Sequence, residues 1–205
     1  MLTKIDELIL PDHARLEPKD ECYFIGEYTK GGGYQYSSTN QFVYNLKKSV
    51  TRRGLPDYHY KTDAIHRAAR ELRQSLNPEF IALATFVPIP PSKTVDDPLY
   101  DDRMTQVLGQ LDATADVREL VQQLVSVPEA HFSASRPGPQ EIYENYVIDV
   151  NLIEPTPAVI AVVDDVLTAG AHFKAMKRLL METFQDAHIV GLFLARRVPN
   201  TEIDG

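Results

Sequence analysis

The chain of 205 residues carries 21 Lys and Arg against 29 Asp and Glu, which gives a formal net charge of −8 at pH 7. Its composition, 43% hydrophobic and 24% charged, is that of a folded globular protein and excludes an intrinsically disordered chain. The acidic balance argues against nonspecific binding to nucleic acid or to an anionic membrane, so we expect neither as a partner.

The N-terminal part is predicted to be rich in strands. Residues 22–46 contain many β-forming residues and are broken by the three glycines at 31–33, which is typical of a hairpin or small sheet. We therefore divide the chain into a β-rich elaboration, residues 1–60, and an α/β core, residues 61–205. Seven of the ten Tyr lie between residues 23 and 60, where they either stack on a planar base or simply pack the sheet. A solvated run of positive charge is predicted at Lys47, Lys48, Arg52 and Arg53; the alternative is that this cluster approaches a phosphate or nucleic acid.

The middle of the chain predicts helices around one buried strand. Apolar residues recur at helical spacing over 65–76, and Asn77-Pro78 ends that helix. The continuously apolar run 80–87 predicts a strand buried on both faces, followed by a proline-rich turn. Further helices are predicted at 104–111 and 139–146, whereas 117–127 is ambiguous between strand and helix.

The last third predicts a strand, a helix and a second strand. Residues 158–163 and 189–194 are apolar and rich in β-forming residues. One helical face is apolar between them: Phe173, Met176, Leu180 and Phe184. This succession is a βαβ unit, so the fold class is predicted to be α/β, with a mostly parallel sheet flanked by helices.

Cysteine content and the N-terminal sequence predict a cytoplasmic protein. The one cysteine, Cys22, has no partner for an intrachain disulfide, and no spacing of Cys and His resembles a zinc site. The first 20 residues lack the basic start and apolar run of a signal peptide, and the longest apolar stretches are too short to span a bilayer.

The segment after Val163 is the first place to look for a ligand, because open parallel sheets bind ligands at the carboxyl ends of their strands. Asp164 and Asp165 are adjacent carboxylates that need polar partners such as sugar hydroxyls or hydrated magnesium. Mostly small residues then open a helix: Thr168, Ala169, Gly170, Ala171 and His172. Their backbone N–H groups can surround an anion at the positive end of that helix. The alternative is a solvated acidic turn followed by an ordinary helix cap.

Residues 162–171, Val-Val-Asp-Asp-Val-Leu-Thr-Ala-Gly-Ala, resemble the phosphoribosyl-pyrophosphate (PRPP) motif of type I phosphoribosyltransferases. The resemblance implies that Asp164 and Asp165 hold the ribose hydroxyls and that residues 168–172 wrap the 5′-phosphate. Residues 86–93, Phe-Val-Pro-Ile-Pro-Pro-Ser-Lys, resemble the pyrophosphate-binding segment, closest to competence-associated members of the family and their uncharacterised relatives. Ser92 and Lys93 would then hold the diphosphate; the alternative is a turn with a solvated lysine.

Residues 96–103 resemble the mobile loop that closes over the reaction centre in this family, with Arg103 as the cation on the diphosphate. The alternative is an ordinary ion pair between Arg103 and a neighbouring aspartate. The resemblance covers residues 80–195 and leaves the N-terminal block as a possible hood that selects the acceptor.

The resemblance implies a phosphoribosyltransferase-type fold and transfer of phosphoribosyl from PRPP to an unidentified acceptor, such as a nucleobase, with release of pyrophosphate. Catalytic roles would belong to Asp164, Asp165, Lys93 and Arg103. Magnesium would be carried by PRPP rather than by protein ligands, and a homodimer is common in the family. The alternative is a protein that binds PRPP or a nucleotide as a sensor or regulator and has no turnover.

Overall fold

The computed structural model describes residues 1–127 and 137–199, so residues 128–136 and 200–205 of the predicted core lie outside the described residues. The strands in these ranges are β1 (Thr3–Lys4), β2 (Cys22–Thr29), β3 (Thr85–Pro88), β4 (Asp116–Val117), β5 (Val121–Gln123), β6 (Tyr146–Ile148), β7 (Val159–Leu167) and β8 (His188–Val198). The α-helices are α1 (Ser38–Leu46), α2 (His59–Ser75), α3 (Pro78–Leu83), α4 (Arg103–Leu108), α5 (Pro139–Glu144) and α6 (Ala171–Thr183). Short 3-10 helices lie at Leu10–Asp12, Val50–Arg52, Pro56–Tyr58 and Val150–Leu152.

The main sheet has six strands in the order β1-β2-β8-β7-β3-β4. All of its neighbouring pairs are parallel except β1 with β2 at one edge, and β5 and β6 form a separate antiparallel pair. The predicted α/β class with a mostly parallel sheet is therefore confirmed, while a phosphoribosyltransferase-type fold stays a prediction.

Two apolar clusters cover the two faces of this sheet. Helices α1, α2 and α4 pack on one face, where Ala161 and Val163 of β7 point. Helix α6 and the N-terminal segment pack on the other, where Ile160 and Val162 point. Successive side chains of a strand alternate between faces, so β7 contributes to both clusters.

The hairpin expected in residues 22–46 is wrong. The first part is β2, which pairs in parallel with β8 of the central sheet, and the second part is helix α1. The hydroxyl of Ser37 accepts the backbone N–H of Asn40 at 3.0 Å and so caps α1. Burial of Phe42, Val43 and Leu46 against α2 then overrides the β propensity of this segment. The boundary predicted between residues 60 and 61 falls in the first turn of α2.

The strand expected at 80–87 is also wrong in its first half. Asn77 does end the preceding helix, but its side chain accepts the backbone N–H of Glu79 at 2.8 Å and starts α3, with Pro78 in the first turn. Only Thr85–Pro88 is extended, as β3. The other predicted helices are present as α2, α4 and α5, the ambiguous stretch 117–127 holds parts of two short strands, and β7, α6 and β8 form the predicted βαβ unit.

Candidate functional site

The two adjacent aspartates lie inside β7, not in the connection after it. We expected the strand to end at Val163, but its pairing with β8 continues through Asp164 to Leu167. Alternation along the strand sends the two side chains to different faces. Asp165 is 2% exposed and faces the helices α1, α2 and α4, whereas Asp164 is partly buried on the side of Tyr146.

Asp165 is held by two cations from separate helices. Its Oδ1 lies 2.9 Å from Nζ of Lys47, the residue after α1. Its Oδ2 accepts Nε–H of Arg103 at 2.9 Å and Nη2–H at 2.6 Å. Burial alone would raise the pKa of Asp165, but the charges of Lys47 and Arg103 outweigh it and hold that pKa well below its usual range. Asp165 is therefore ionised and fully partnered.

The pair extends into a buried ion-pair network. Arg103 also donates from Nη1 to Oδ2 of Asp101 at 2.9 Å, and Nζ of Lys61 donates to the same oxygen at 2.7 Å. Lys61 is 1% exposed and completes its bonding at the carbonyl of Lys48, 2.8 Å away. We call Lys47, Lys61, Asp101, Arg103 and Asp165 the buried ion-pair network; Lys47, with a side chain 38% exposed, forms its outer edge.

These ion pairs bear on two predictions made from the sequence, the role of Arg103 and the charge run that includes Lys47. Arg103 pairs with a neighbouring aspartate, Asp101, as one alternative proposed, and with Asp165 as well. Within the predicted solvated charge run, the exposed Lys47 reaches the buried Asp165, whereas Lys48 and Arg52 pair with the partly exposed Asp57. Residues 96–103 also form hydrogen bonds with another part of the chain, since Asp97 accepts the hydroxyl of Ser126 at 2.7 Å.

Asp164 differs from its neighbour because it meets no cation directly. Its Oδ1 accepts the backbone N–H of Asp165 at 2.7 Å, and within the described part of the chain its Oδ2 has no hydrogen-bond partner. Burial raises the pKa of Asp164 to about 7, and the adjacent Asp165 carboxylate adds to the effect. Asp164 is thus the member of the pair that offers an oxygen to a ligand.

Backbone N–H groups are available in the connection between β7 and α6. Gly170 has φ +88°, a left-handed conformation that suits glycine, and Ala171 begins the helix. The N–H groups of residues 169–172 have no hydrogen-bond acceptor within 1–127 and 137–199. Four such donors at the start of a 13-residue helix form an arrangement that binds anions.

Three residues that were not predicted from the sequence to belong to the site lie around the connection between β7 and α6 or in the ion-pair network. His13 bonds through Nδ1 to the carbonyl of Thr168, and the N–H of Arg15 donates to the carbonyl of Ala169 at 2.8 Å. The hydroxyl of Tyr146 lies 2.8 Å from Nδ1 of His172. No sequence signal marks His13 or Tyr146, but Lys61 had one, because it lies on the apolar stripe of α2 with Ala64 and Ala68.

Ser92 and Lys93 are engaged elsewhere. The Nζ of Lys93 donates to the carbonyl of Val127 at 3.0 Å, and the N–H of Val127 donates to the carbonyl of Ser92 at 2.8 Å. In the described ranges no hydrogen bond or ion pair joins either residue to Asp164, Asp165 or the loop after β7. The structure therefore joins Arg103 to Asp165 directly and Lys93 to a separate segment.

The site offers little to a metal ion by itself. Among residues 1–127 and 137–199, no group of three or more His, Cys, Asp and Glu side chains is arranged to hold one. Both oxygens of Asp165 are in ion pairs, which leaves Oδ2 of Asp164 from the acidic pair. These residues fit a magnesium ion that is held mainly by ligand oxygens, as magnesium often is.

No model of a known protein family matches the chain, and no protein of curated function is similar enough in sequence to count as a match. Within the described ranges, no helix combines the length and the apolar character needed to cross a membrane.

Proposed function

We propose that this protein binds PRPP at the carboxyl end of β7, with the 5′-phosphate at the N–H groups of residues 169–172 and the ribose at Asp164. One observation carries the proposal: Oδ2 of Asp164 and the four N–H groups of residues 169–172, which have no partner among residues 1–127 and 137–199, lie in the last part of β7 and the segment after it, on residues that resemble the PRPP motif. Backbone N–H groups bind the oxygens of a phosphate, and a carboxylate oxygen accepts a hydrogen bond from a sugar hydroxyl.

The proposed reaction is transfer of phosphoribosyl to an acceptor. The bond between the anomeric carbon and the diphosphate oxygen breaks, a bond from the acceptor to that carbon forms, and the electron pair leaves with pyrophosphate. Bound with PRPP, magnesium would neutralise the leaving diphosphate. Ionised Asp164 would orient the ribose and favour positive charge at its ring.

Asp165 and Arg103 have a supporting role in this proposal. Because both oxygens of Asp165 are engaged, its ion pairs fix Lys47 and Arg103 beside the strand end. The buried ion-pair network contains three cations and two carboxylates, so it adds positive charge close to the ligand. This charge of +1 offsets the charge of ionised Asp164, so the site repels a phosphorylated sugar less than the acidic total of the chain would suggest.

A second candidate function is a PRPP or nucleotide sensor without turnover. It is favoured by the bonding of Arg103 and Lys93, the two cations expected on the diphosphate. Arg103 donates to Asp101 and Asp165, and Lys93 donates to the carbonyl of Val127. A monophosphate sensor would not need to release either cation.

Calorimetry with PRPP and magnesium tests the binding site. We expect the wild type to bind and Asp164→Asn to bind about tenfold more weakly, the loss of roughly one charged contact. Asp149→Asn, which alters an aspartate in another loop, is the matched control and should bind as the wild type does. Absence of binding by the wild type would refute the proposal.

Pyrophosphate release then separates the two functions. The wild type is incubated with PRPP, magnesium and each nucleobase in turn. Release that depends on one nucleobase supports the transferase, and binding of PRPP without release from any of them supports the sensor.

A further inference from the structure

The loop after β7 is backed by a segment from the start of the chain. We call residues 12–20 the N-terminal strap. The strap bonds to two successive carbonyls, from His13 to Thr168 and from the N–H of Arg15 to Ala169. The side chain of Leu16 packs beside Gly170 so closely that a Cβ there would lie 2.6 Å from its Cδ2.

Ion pairs anchor the strap at both ends. At its start, Asp12 lies 2.8 Å from Nη1 of Arg196 in β8. At its end, the buried Asp20 accepts from Lys174 at 2.9 Å and from Lys177 at 2.8 Å, both in the first half of α6. The strap is thus tied to the strand beside β7 and to the helix that follows the loop.

The hydrogen bonding of His13 indicates that its ring donates to the carbonyl of Thr168. It is 0% exposed, and within the described part of the chain its Nε2 has no hydrogen-bond partner. A buried polar atom without a partner costs free energy, which an apolar side chain in the same space would avoid. Because the carbonyl of Thr168 can only accept, Nδ1 of His13 carries the proton, and burial lowers the pKa of His13 so that the ring is neutral.

The geometry of the peptide bond connects these contacts with the proposed phosphate site. In a trans peptide the carbonyl of one residue and the N–H of the next point in opposite directions. The carbonyls of Thr168 and Ala169 point at the strap. The N–H groups of Ala169 and Gly170 therefore point away from it, towards the side where an anion would lie.

We propose that the strap preorganises the loop, with His13 as a positioning residue that acts through the carbonyl of Thr168 on the N–H groups facing the anion. This inference rests on the proposed function. Without His13 the first peptide of the loop is free to rotate, and a ligand must then order it on binding.

The test compares His13→Asn with His13→Leu. Asparagine places an N–H donor near the position of Nδ1, whereas leucine fills the space without a donor. We expect His13→Leu to raise the Kd for PRPP with magnesium, and for inorganic phosphate, about 5- to 20-fold, and His13→Asn to stay within about threefold of the wild type. His66→Leu, at a histidine on α2 that bonds to Gln110, is the control and should leave both constants unchanged.

A purely structural role would make Tm fall in both variants without separating their affinities, so equal Kd values for the two variants would overturn the inference. Hydrogen exchange of the Arg15 N–H, which donates to the carbonyl of Ala169, needs no ligand and should be faster in His13→Leu alone. If the wild type binds neither PRPP nor phosphate, the proposed function fails, and unchanged exchange in His13→Leu overturns the strap separately. Should His13→Leu not fold, His13→Gln, whose amide lies near the Nε2 position, replaces it with the same expectation.

Discussion

The hydroxyl of Tyr146 and Nδ1 of His172 form a 2.8 Å hydrogen bond between β6 and the first turn of α6. Tyr146 is 5% exposed, and burial together with the charge of Asp164 raises the pKa of Tyr146 well above its usual value. The hydroxyl therefore keeps its proton and can donate it to Nδ1. The proton of a neutral imidazole then lies on Nε2, which makes His172 a donor towards an anion.

Tyr146→Phe should weaken binding of PRPP with magnesium about three- to tenfold, because the ring of His172 loses the bond that sets its tautomer. Calorimetry on Tyr146→Phe, His172→Ala and the double variant forms a cycle. We expect the double variant to bind no more weakly than His172→Ala alone. Additive losses would show that Tyr146 acts independently of His172.

Asp165→Asn should lower the free energy of unfolding by about 3 kcal/mol, since Arg103 keeps its largely buried charge and loses the carboxylate that pairs with it, and the partly exposed Lys47 loses the same partner. Urea unfolding measures the change. Asp57→Asn is the matched control: Asp57 also pairs with two cations, Lys48 and Arg52, but the pair lies nearer the surface, and we expect little change. Equal losses in the two variants would contradict the burial argument.

Asp164→Asn should stabilise the protein at alkaline pH and not at acid pH. The pKa of Asp164 in the fold, about 7, lies above the value in an unfolded chain. The wild type therefore loses stability as pH rises through this pKa, and asparagine, which cannot ionise, does not. We expect a gain of up to about 4 kcal/mol at pH 8 and almost none at pH 4, measured by urea unfolding at each pH. A gain of the same size at both values would exclude titration of Asp164 as the cause.

Gly170→Ala should destabilise the protein by more than Gly54→Ala. Both glycines have positive φ, +88° and +83°, so both substitutions share the backbone cost of about 1 kcal/mol. At Gly170 the new methyl group would also collide with Leu16, whereas no atom lies within 4 Å at Gly54. We expect a further loss of about 1–3 kcal/mol at Gly170, from chemical unfolding of the two variants. Equal losses of unfolding free energy in the two variants would mean that Leu16 moves aside without cost.

Much of the fold was predictable because hydrophobic periodicity reports burial. The apolar spacing of α2 and α6 and the runs of β7 and β8 each have one interpretation. Residues 80–87 have two interpretations, because an apolar run fits a buried helix followed by a strand as well as one long strand. The local signal was Asn77-Pro78-Glu79, which starts a helix as well as it ends one.

Only the residues of the site that are close together in the sequence were predictable. Asp164, Asp165 and the loop are consecutive, so a motif displays them, and Arg103 was proposed beside them. Their partners come from elsewhere: Lys47 is 118 positions from Asp165, and 155 positions separate His13 from Thr168. A single sequence shows no pattern that joins such positions, and the extension of β7 past Val163 depends on pairing with β8.

The tie between His13 and Thr168 also bears on how the protein acquires its site. Closing a contact over 155 positions carries a large entropic cost, and contacts of this span slow folding. The strap is synthesised before α6 and β8, and its contacts with them cannot form until they are made. Competence to bind phosphate should therefore appear late in refolding, after the helices have formed.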